Sequence, residues 1–309
     1  MGNCRILWIH ALAPVHVGCG FGLGAVDLPI TREKVSNWPV LPGSGLKGVL
    51  ADYYDAAVPE GRGDLASAAF GKPDGNEAAP ASSSNAGALV VGDARIVLLP
   101  VRSLLGTWAW ITCPMALRRL KRDLEEAGLA GDTPQDTAEP GPQQILLPKG
   151  ITSKLKKAAP TVYLADLDLA ASDSPVSKVW AEKLSSSLFP PDASKAASPW
   201  IAEFNSRFGI VHDDLFNYLL ETGTEIVTRI RIDPATGTVA SGQLWTEEAL
   251  PAESVLASLV WVDKLRKPGT NATQANILST YCKSEIRGLQ IGGNATVGRG
   301  RVRAVFGGN

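Results

Sequence analysis

Ile291-Gly-Gly-Asn-Ala-Thr-Val-Gly-Arg-Gly-Arg301 is the segment of this 309-residue chain best equipped to meet a ligand. Gly292, Gly293, Gly298 and Gly300 let backbone pass close to a bound group and turn several N–H groups toward one point. Asn294 and Thr296 lie between them, and Arg299, Arg301 and Arg303 add positive charge. These are the means of holding a phosphodiester backbone. A flexible turn with solvated arginines has the same composition. There is no Gly-Lys-Ser/Thr, and the loop leads into a strand rather than a helix, which excludes a Walker P-loop.

Other groups with chemical capacity lie near the start. Leu41-Pro-Gly-Ser-Gly45 turns into Leu46-Lys-Gly-Val-Leu50, a predicted helix to about Ala57 with Ser44 as its N-cap. Lys47 then sits where a helix N-terminus attracts anions, the alternative being a solvated lysine. Asp27, in a Gly-rich loop, is the only carboxylate between Met1 and Arg32. His16, just before that loop, belongs to the residue type that titrates near neutral pH and can act as general acid or base. A lone histidine at a strand end is more often structural, and His10, mid-strand, reads as a core or sheet residue. His212 has only the adjacent Asp213 and Asp214 beside it, a weak metal set.

The elements that must position these groups follow from patterning. Residues 5–13 read as a strand buried on both faces, and Gly18–Gly24 as a loop. Residues 72–87 read as an exposed loop, Leu89–Pro100 as β structure and Met115–Ala127 as a helix. The Pro-, Ser-, Asp- and Ala-rich stretches 131–144 and 170–199 read as inserted loops. Thr224–Asp233 alternates, with Ile226, Thr228, Ile230 and Ile232 on one face and Val227, Arg229 and Arg231 on the other. A turn at Asp233–Gly237 and a return strand to about Trp245 complete a hairpin. Ser254–Asp263 reads as a strand, Thr273–Gly288 as a helix and Arg299–Phe306 as a last strand. The order suits an α+β, RRM-like (ferredoxin-like) core with large insertions better than a doubly wound α/β fold.

Composition bounds the class. With 45% hydrophobic and 20% charged residues the chain can build a sizeable core, and its 31 Gly and 21 Pro favour loops and hairpins over a helical bundle. The net charge of −1 argues against a uniformly basic nucleic-acid binder. The sign is unevenly spread, however: from Lys264 onward, Lys264, Arg266, Lys267, Lys283, Arg287, Arg299, Arg301 and Arg303 face Glu285 alone. Cys4, Cys19, Cys113 and Cys282 form no CxxC pair, so a zinc site or disulfide framework is not expected and reduced thiols in the cytoplasm are. The apolar run Ile6–Val17 is broken by His10, Pro14 and His16, and is neither a signal peptide nor a membrane span.

The glycine-rich C-terminal loop, taken with Leu41-Pro-Gly-Ser-Gly-Leu-Lys-Gly48, resembles the signature pair of the RAMP superfamily of CRISPR proteins. Gly24-Ala-Val-Asp-Leu-Pro-Ile-Thr-Arg-Glu-Lys34 narrows the resemblance to the backbone subunits of type III-B (Cmr) effector complexes. Ala69-Phe-Gly71, Gly92-Asp-Ala-Arg95, Arg102-Ser-Leu-Leu-Gly-Thr-Trp-Ala-Trp110 and Thr228-Arg-Ile-Arg-Ile-Asp233 match in the same order across nearly the whole chain. Each motif is weak alone; the ordered set is specific.

The resemblance implies one RRM-like palm over 1–309, with a catalytic loop at 18–40, an inserted loop and helical part at 131–205, and a β-hairpin thumb at 233–252. It implies a cytoplasmic ribonucleoprotein filament whose partners are guide RNA, single-stranded target RNA, further copies of the chain and other effector subunits, with no membrane. Asp27 then becomes the expected catalytic residue for cleavage of guide-paired target RNA, by attack of a ribose 2′-hydroxyl on the adjacent phosphorus to leave a 2′,3′-cyclic phosphate. It would act as base or as ligand to a divalent ion, magnesium or manganese. Ser44, Gly45, Lys47, Gly292, Gly293, Asn294, Thr296, Gly298, Arg299 and Arg301 would hold RNA. Trp245 and Leu250-Pro251 could supply an apolar wedge that kinks the guide–target duplex. Two alternatives stand beside this reading. One is a scaffold with a merely structural Asp27; the other is a metal-independent guide-processing ribonuclease using His16.

Overall fold

The computed structural model describes residues 3–22, 24–55, 63–72, 84–129, 131, 133–134, 139–190, 198–283 and 285–307. Six of the eight residues of β1 (Cys4–Ala11) are buried, as a strand covered on both faces requires. The chain continues through β2 (Val40–Leu41), α1 (Gly43–Asp55), α2 (Asp64–Phe70), β3 (Gly71–Lys72), β4 (Asn85–Ala86), β5 (Leu89–Val91), β6 (Ala94–Arg102) and β7 (Trp108–Thr112). Pro114 then opens α3 (Pro114–Glu126) at a position where its missing N–H costs nothing, and the Cys113 sulfur caps the Ala116 N–H. β8 (Gln144–Pro148), β9 (Thr161–Leu164) and β10 (Leu167–Ser174) lead to α4 (Pro175–Leu188), again begun by proline and capped by the Ser174 hydroxyl. After α5 (Pro199–Arg207), β11 (Phe208–Val211) and α6 (Asp213–Thr222) come a hairpin of β12 (Glu225–Ile232) and β13 (Val239–Ala249). β14 (Val255–Val262), α7 (Gln274–Tyr281), β15 (Glu285–Gln290) and β16 (Arg301–Gly307) complete an α+β molecule.

One large mixed sheet runs in the order β15-β16-β1-β14-β6-β7-β11-β8-β10-β9, with β2 on β6 and β5 on β14. β1 is antiparallel to both neighbours, Trp8 standing opposite Ala257 on one side and Val305 on the other. Alternation along β1 splits the core in two. Leu7, Ile9 and Ala11 join a cluster with Leu46 and Leu50 of α1 and Ile277 and Leu278 of α7. Ile6 and Trp8 face the other way, into Leu117 and Leu120 of α3 and Trp180 and Leu184 of α4. The β12–β13 hairpin forms a sheet of its own, with Ile230 opposite Leu244. It leaves Ile226 near its root and Ile230, Ile232, Val239 and Leu244 farther out exposed.

Several sequence expectations are corrected here. Ser44 lies inside α1, which begins at Gly43, and the Asp93 carboxylate takes the Gly43 N–H at 2.8 Å in the capping role. The expected helix over 273–288 is α7 followed by strand β15, and the expected loop 170–199 contains the end of β10, all of α4 and the start of α5. The return strand of the hairpin extends past Trp245 to Ala249. Leu250, 2% exposed, is a core residue and no wedge. Most of the loop expected at 72–87, and part of that at 131–144, lie outside the described residues. The basic C-terminal segment is largely answered by carboxylates. Arg266 meets Asp263 at 3.3 Å, Lys267 meets Asp64, and Arg287 and Arg303 share Glu285.

Candidate active site

β13 has two edges, and its last turn of pairing explains the site. One edge bonds to β12; the other carries the segment Asp27–Ile30. The Asp27 Oδ2 accepts the Thr246 backbone N–H and the Thr246 hydroxyl, both at 2.8 Å, while the Asp27 N–H donates to the Thr246 Oγ1 at 3.0 Å. Leu28 donates its N–H to the Thr246 carbonyl at 3.0 Å, and Glu248 returns an N–H to the Leu28 carbonyl at 3.0 Å. The Thr246 N–H and hydroxyl hold the Asp27 carboxyl below the ordinary aspartate value. The side chain is exposed, and among the described residues nothing bonds to its Oδ1.

Glu248 fixes the far end of this loop. Its carboxylate, buried at the hairpin root, accepts the Ile30 N–H at 3.0 Å and the Arg32 guanidinium at 2.6 Å. Next along, Glu33 is gripped by both Arg119 Nη atoms from α3, with the Ser36 hydroxyl as a third donor. Burial opposes ionisation of Glu33, but the bonds from Arg119 and Ser36 and the charges of Arg119 and Arg95 outweigh it and lower its pKa.

His16 meets the same strand two residues beyond Thr246, about 7 Å along it. Its Nδ1 lies 2.6 Å from the Glu248 carbonyl, an acceptor, so Nδ1 carries the proton and Nε2 is the basic nitrogen of the neutral ring. The His16 carbonyl in turn accepts the Gly293 N–H at 2.9 Å. Gly292 is at φ +80°, and a Cβ there would stand 2.1 Å from that carbonyl oxygen, so the glycine-rich loop closes on His16 only because it lacks side chains. Asn294, also left-handed, donates to Glu247 Oε2 at 2.9 Å. Glu247 is 5% exposed and takes the Trp245 indole N–H at 2.9 Å and Arg229 at 3.3 Å. Burial raises its pKa, but those two bonds and the charges of Arg229 and His16 bring it below the ordinary value.

Of the residues singled out from sequence, Asp27, His16, Gly292, Gly293, Asn294 and Trp245 thus converge on the root of the hairpin. Arg299 is 8% exposed, its Nη1 3.9 Å from Glu225 Oε2 at the start of β12. Thr296, Gly298 and Arg301 are exposed on the outer side of the loop. Ser44 and Gly45 are exposed and Lys47 half-buried in the first turn of α1, which packs against β5 and β15. Sequence reasoning missed Thr246, Glu247, Glu248 and Arg32. Thr246-Glu-Glu248 is polar at the end of an alternating strand, but the partners of Thr246 and Glu248 lie more than 200 residues away, and Glu247 is answered by Trp245, Arg229 and, 47 residues on, Asn294. Among the described residues no three His, Cys, Asp or Glu side chains gather as a metal cluster.

Comparison with known proteins gives a consistent set. Residues 8–303 match the RAMP superfamily. The chain is 35% identical over 307 residues to the CRISPR system Cmr endoribonuclease Cmr4 of Pyrococcus furiosus, covering 97% of this chain and 95% of that protein. The crystal structure of oligomeric Cmr4 from Pyrococcus furiosus superposes with a TM-score of 0.71 at 26% identity, over 99% of this chain and 98% of that one. A chain in the cryo-EM structure of the type III-B Cmr-beta complex bound to cognate target RNA shares the fold, with a TM-score of 0.70 at 17% identity over 98% and 96% of the two chains.

Proposed function

This chain belongs to the RAMP superfamily and, within it, to the Cmr4 family, and from that premise we propose that it is the repeating backbone subunit of a type III-B CRISPR complex and its target-RNA endoribonuclease. Copies of the chain line up along guide RNA, and each cuts the paired target once, at the nucleotide held against its hairpin root. The observation that carries the reading is the placement of Asp27: an ionised carboxylate with one oxygen spent on Thr246 and the other open, beside a glycine-rich loop and an exposed hairpin.

The reaction is in-line attack of a target 2′-hydroxyl on its own phosphodiester, leaving a 2′,3′-cyclic phosphate and a 5′-hydroxyl. Its barrier falls when the nucleotide is splayed into alignment and charge on the phosphoryl oxygens is met. Exposed apolar residues of the hairpin, Ile230 and Leu244 foremost, serve as the wedge that splays it. The exposed Thr296 of the glycine-rich loop and the exposed Ser44 and Gly45 of the first turn of α1, with Lys47 and Arg301, hold RNA phosphates. Asp27 receives the hydroxyl proton or holds a divalent ion through Oδ1. One carboxylate suits magnesium or manganese, which commonly bind through one or two carboxylates and substrate phosphate oxygens. Such an ion would neutralise developing phosphoryl charge.

We read the palm as RRM-like. The support is the antiparallel order β16-β1-β14-β6, with α1 following β1 and α7 following β14, which is the arrangement of a split βαβ unit. Among the described residues no helix is long and apolar enough to cross a membrane.

The test is cleavage of target RNA by guide-loaded complex assembled with Asp27→Asn, with target binding measured alongside. Loss of at least a hundredfold in rate with unchanged affinity is expected, and chelation of divalent ions in the unmodified complex should give the same pattern. Cleavage at the original rate by Asp27→Asn would reduce the chain to a scaffold.

A further inference from the structure

Thr246 is joined to the catalytic loop by four hydrogen bonds within two residues. Its hydroxyl donates to Asp27 Oδ2 and accepts from the Asp27 N–H, its N–H donates to the same Oδ2, and its carbonyl accepts the Leu28 N–H. We propose that Thr246 is a positioning residue for target cleavage: through its hydroxyl it fixes the rotamer of Asp27, so that Oδ1 alone is presented to the scissile nucleotide. The proposal rests on the reading of Asp27 as the catalytic residue.

Asp27 is exposed and sits in a glycine-rich loop, so its side chain has no packing to hold it. An unrestrained carboxylate rotates about two bonds and offers either oxygen. The Thr246 N–H and hydroxyl both donate to Oδ2, and the hydroxyl also accepts the Asp27 N–H, closing a ring of three groups; without the hydroxyl a single backbone donor would remain on the carboxylate. Serine can close the same ring. Valine keeps the branched shape and the strand backbone but cannot. Glu247 and Glu248, the next two residues, are already committed elsewhere, to Asn294, Trp245 and Arg229 and to Arg32 and Ile30 respectively. Thr246 is therefore the one residue of this stretch whose side chain is spent on Asp27.

The experiment compares guide-loaded complexes carrying Thr246→Val, Thr246→Ser and Asp27→Asn under single-turnover conditions, with target affinity measured for each. Thr246→Val should lower the cleavage rate about 10- to 100-fold with target affinity unchanged, and Thr246→Ser should restore the rate to within about threefold. A Thr246→Val complex that cuts at the original rate while Asp27→Asn is inactive overturns the proposal and leaves Asp27 catalytic. Equal losses of rate and affinity in Thr246→Val would make the residue a support of the hairpin only, and also overturn it. Should Asp27→Asn itself cut normally, the reading beneath the proposal fails first.

Discussion

Gly293 donates its backbone N–H to the carbonyl oxygen of His16 at 2.9 Å, and the preceding Gly292 leaves no room there for a methyl group. The loop expected to hold RNA is thus hydrogen-bonded to the segment that leads into the loop bearing Asp27.

Gly292 and Gly298 share a positive φ, +80° and +82°, but only Gly292 faces an obstacle, since nothing lies within 4 Å of a Cβ built at Gly298. Alanine at Gly298 should therefore cost about 1 kcal/mol of backbone strain. Alanine at Gly292 adds a collision with backbone and should cost more than about 2 kcal/mol. Urea unfolding of the two variants checks the difference.

His16 is held at both ends, by its carbonyl on Gly293 and its Nδ1 on Glu248. Asparagine can place an amide N–H where Nδ1 stands but has no counterpart to Nε2. If the ring is a strut, His16→Asn should cut target within about threefold of the original rate, and His16→Ala about tenfold more slowly. Equal, severe losses in both would instead mark Nε2 as a proton carrier, which cleavage assays on the two complexes would reveal.

Glu33 ties the end of the loop bearing Asp27 to α3, and its carboxyl titrates below the ordinary glutamate value because Arg119, Ser36 and Arg95 outweigh the penalty of burial. A depressed folded-state pKa means that the stabilisation is fully present above the unfolded value, about 4.3, and is lost as pH falls through the lower folded value. Glu33→Gln should therefore destabilise the chain by about 2 kcal/mol at pH 7. The gap should shrink as pH falls below the unfolded value and through the lower folded one, as denaturant curves of both proteins at pH 7 and in acid would show.

How much of this was legible in the sequence depends on how local each signal was. β1 and α3 were, because burial on both faces and a proline-led amphipathic stretch are written within single windows. β15 was not: a bulge between Arg287 and Leu289, at Gly288, turns Ile286 and Leu289 to the same side, and their three-residue spacing imitates a helix. α4 was hidden by its serines and alanine, although Trp180, Leu184 and Leu188 form a helical stripe and Ser177 bonds inward to the Leu146 carbonyl. At the site, the glycines and Asp27 were visible as residue types out of place in a regular element. Thr246 and Glu248 were not, because what distinguishes them is the identity of partners far away along the chain. In the basic C-terminal segment, the pairing of Lys267 with Asp64 and of Arg299 with Glu225 was hidden for the same reason.

β13 has the hairpin on one edge and the loop bearing Asp27 on the other. On the proposed reading, ruler and blade are mounted on the same strand and would not move independently: a tilt of the hairpin against a duplex would carry the carboxylate with it, and the interval between cuts would be set by how copies stack and not by Asp27. Damage to the blade should make such a filament slow, but never make it cut in the wrong place.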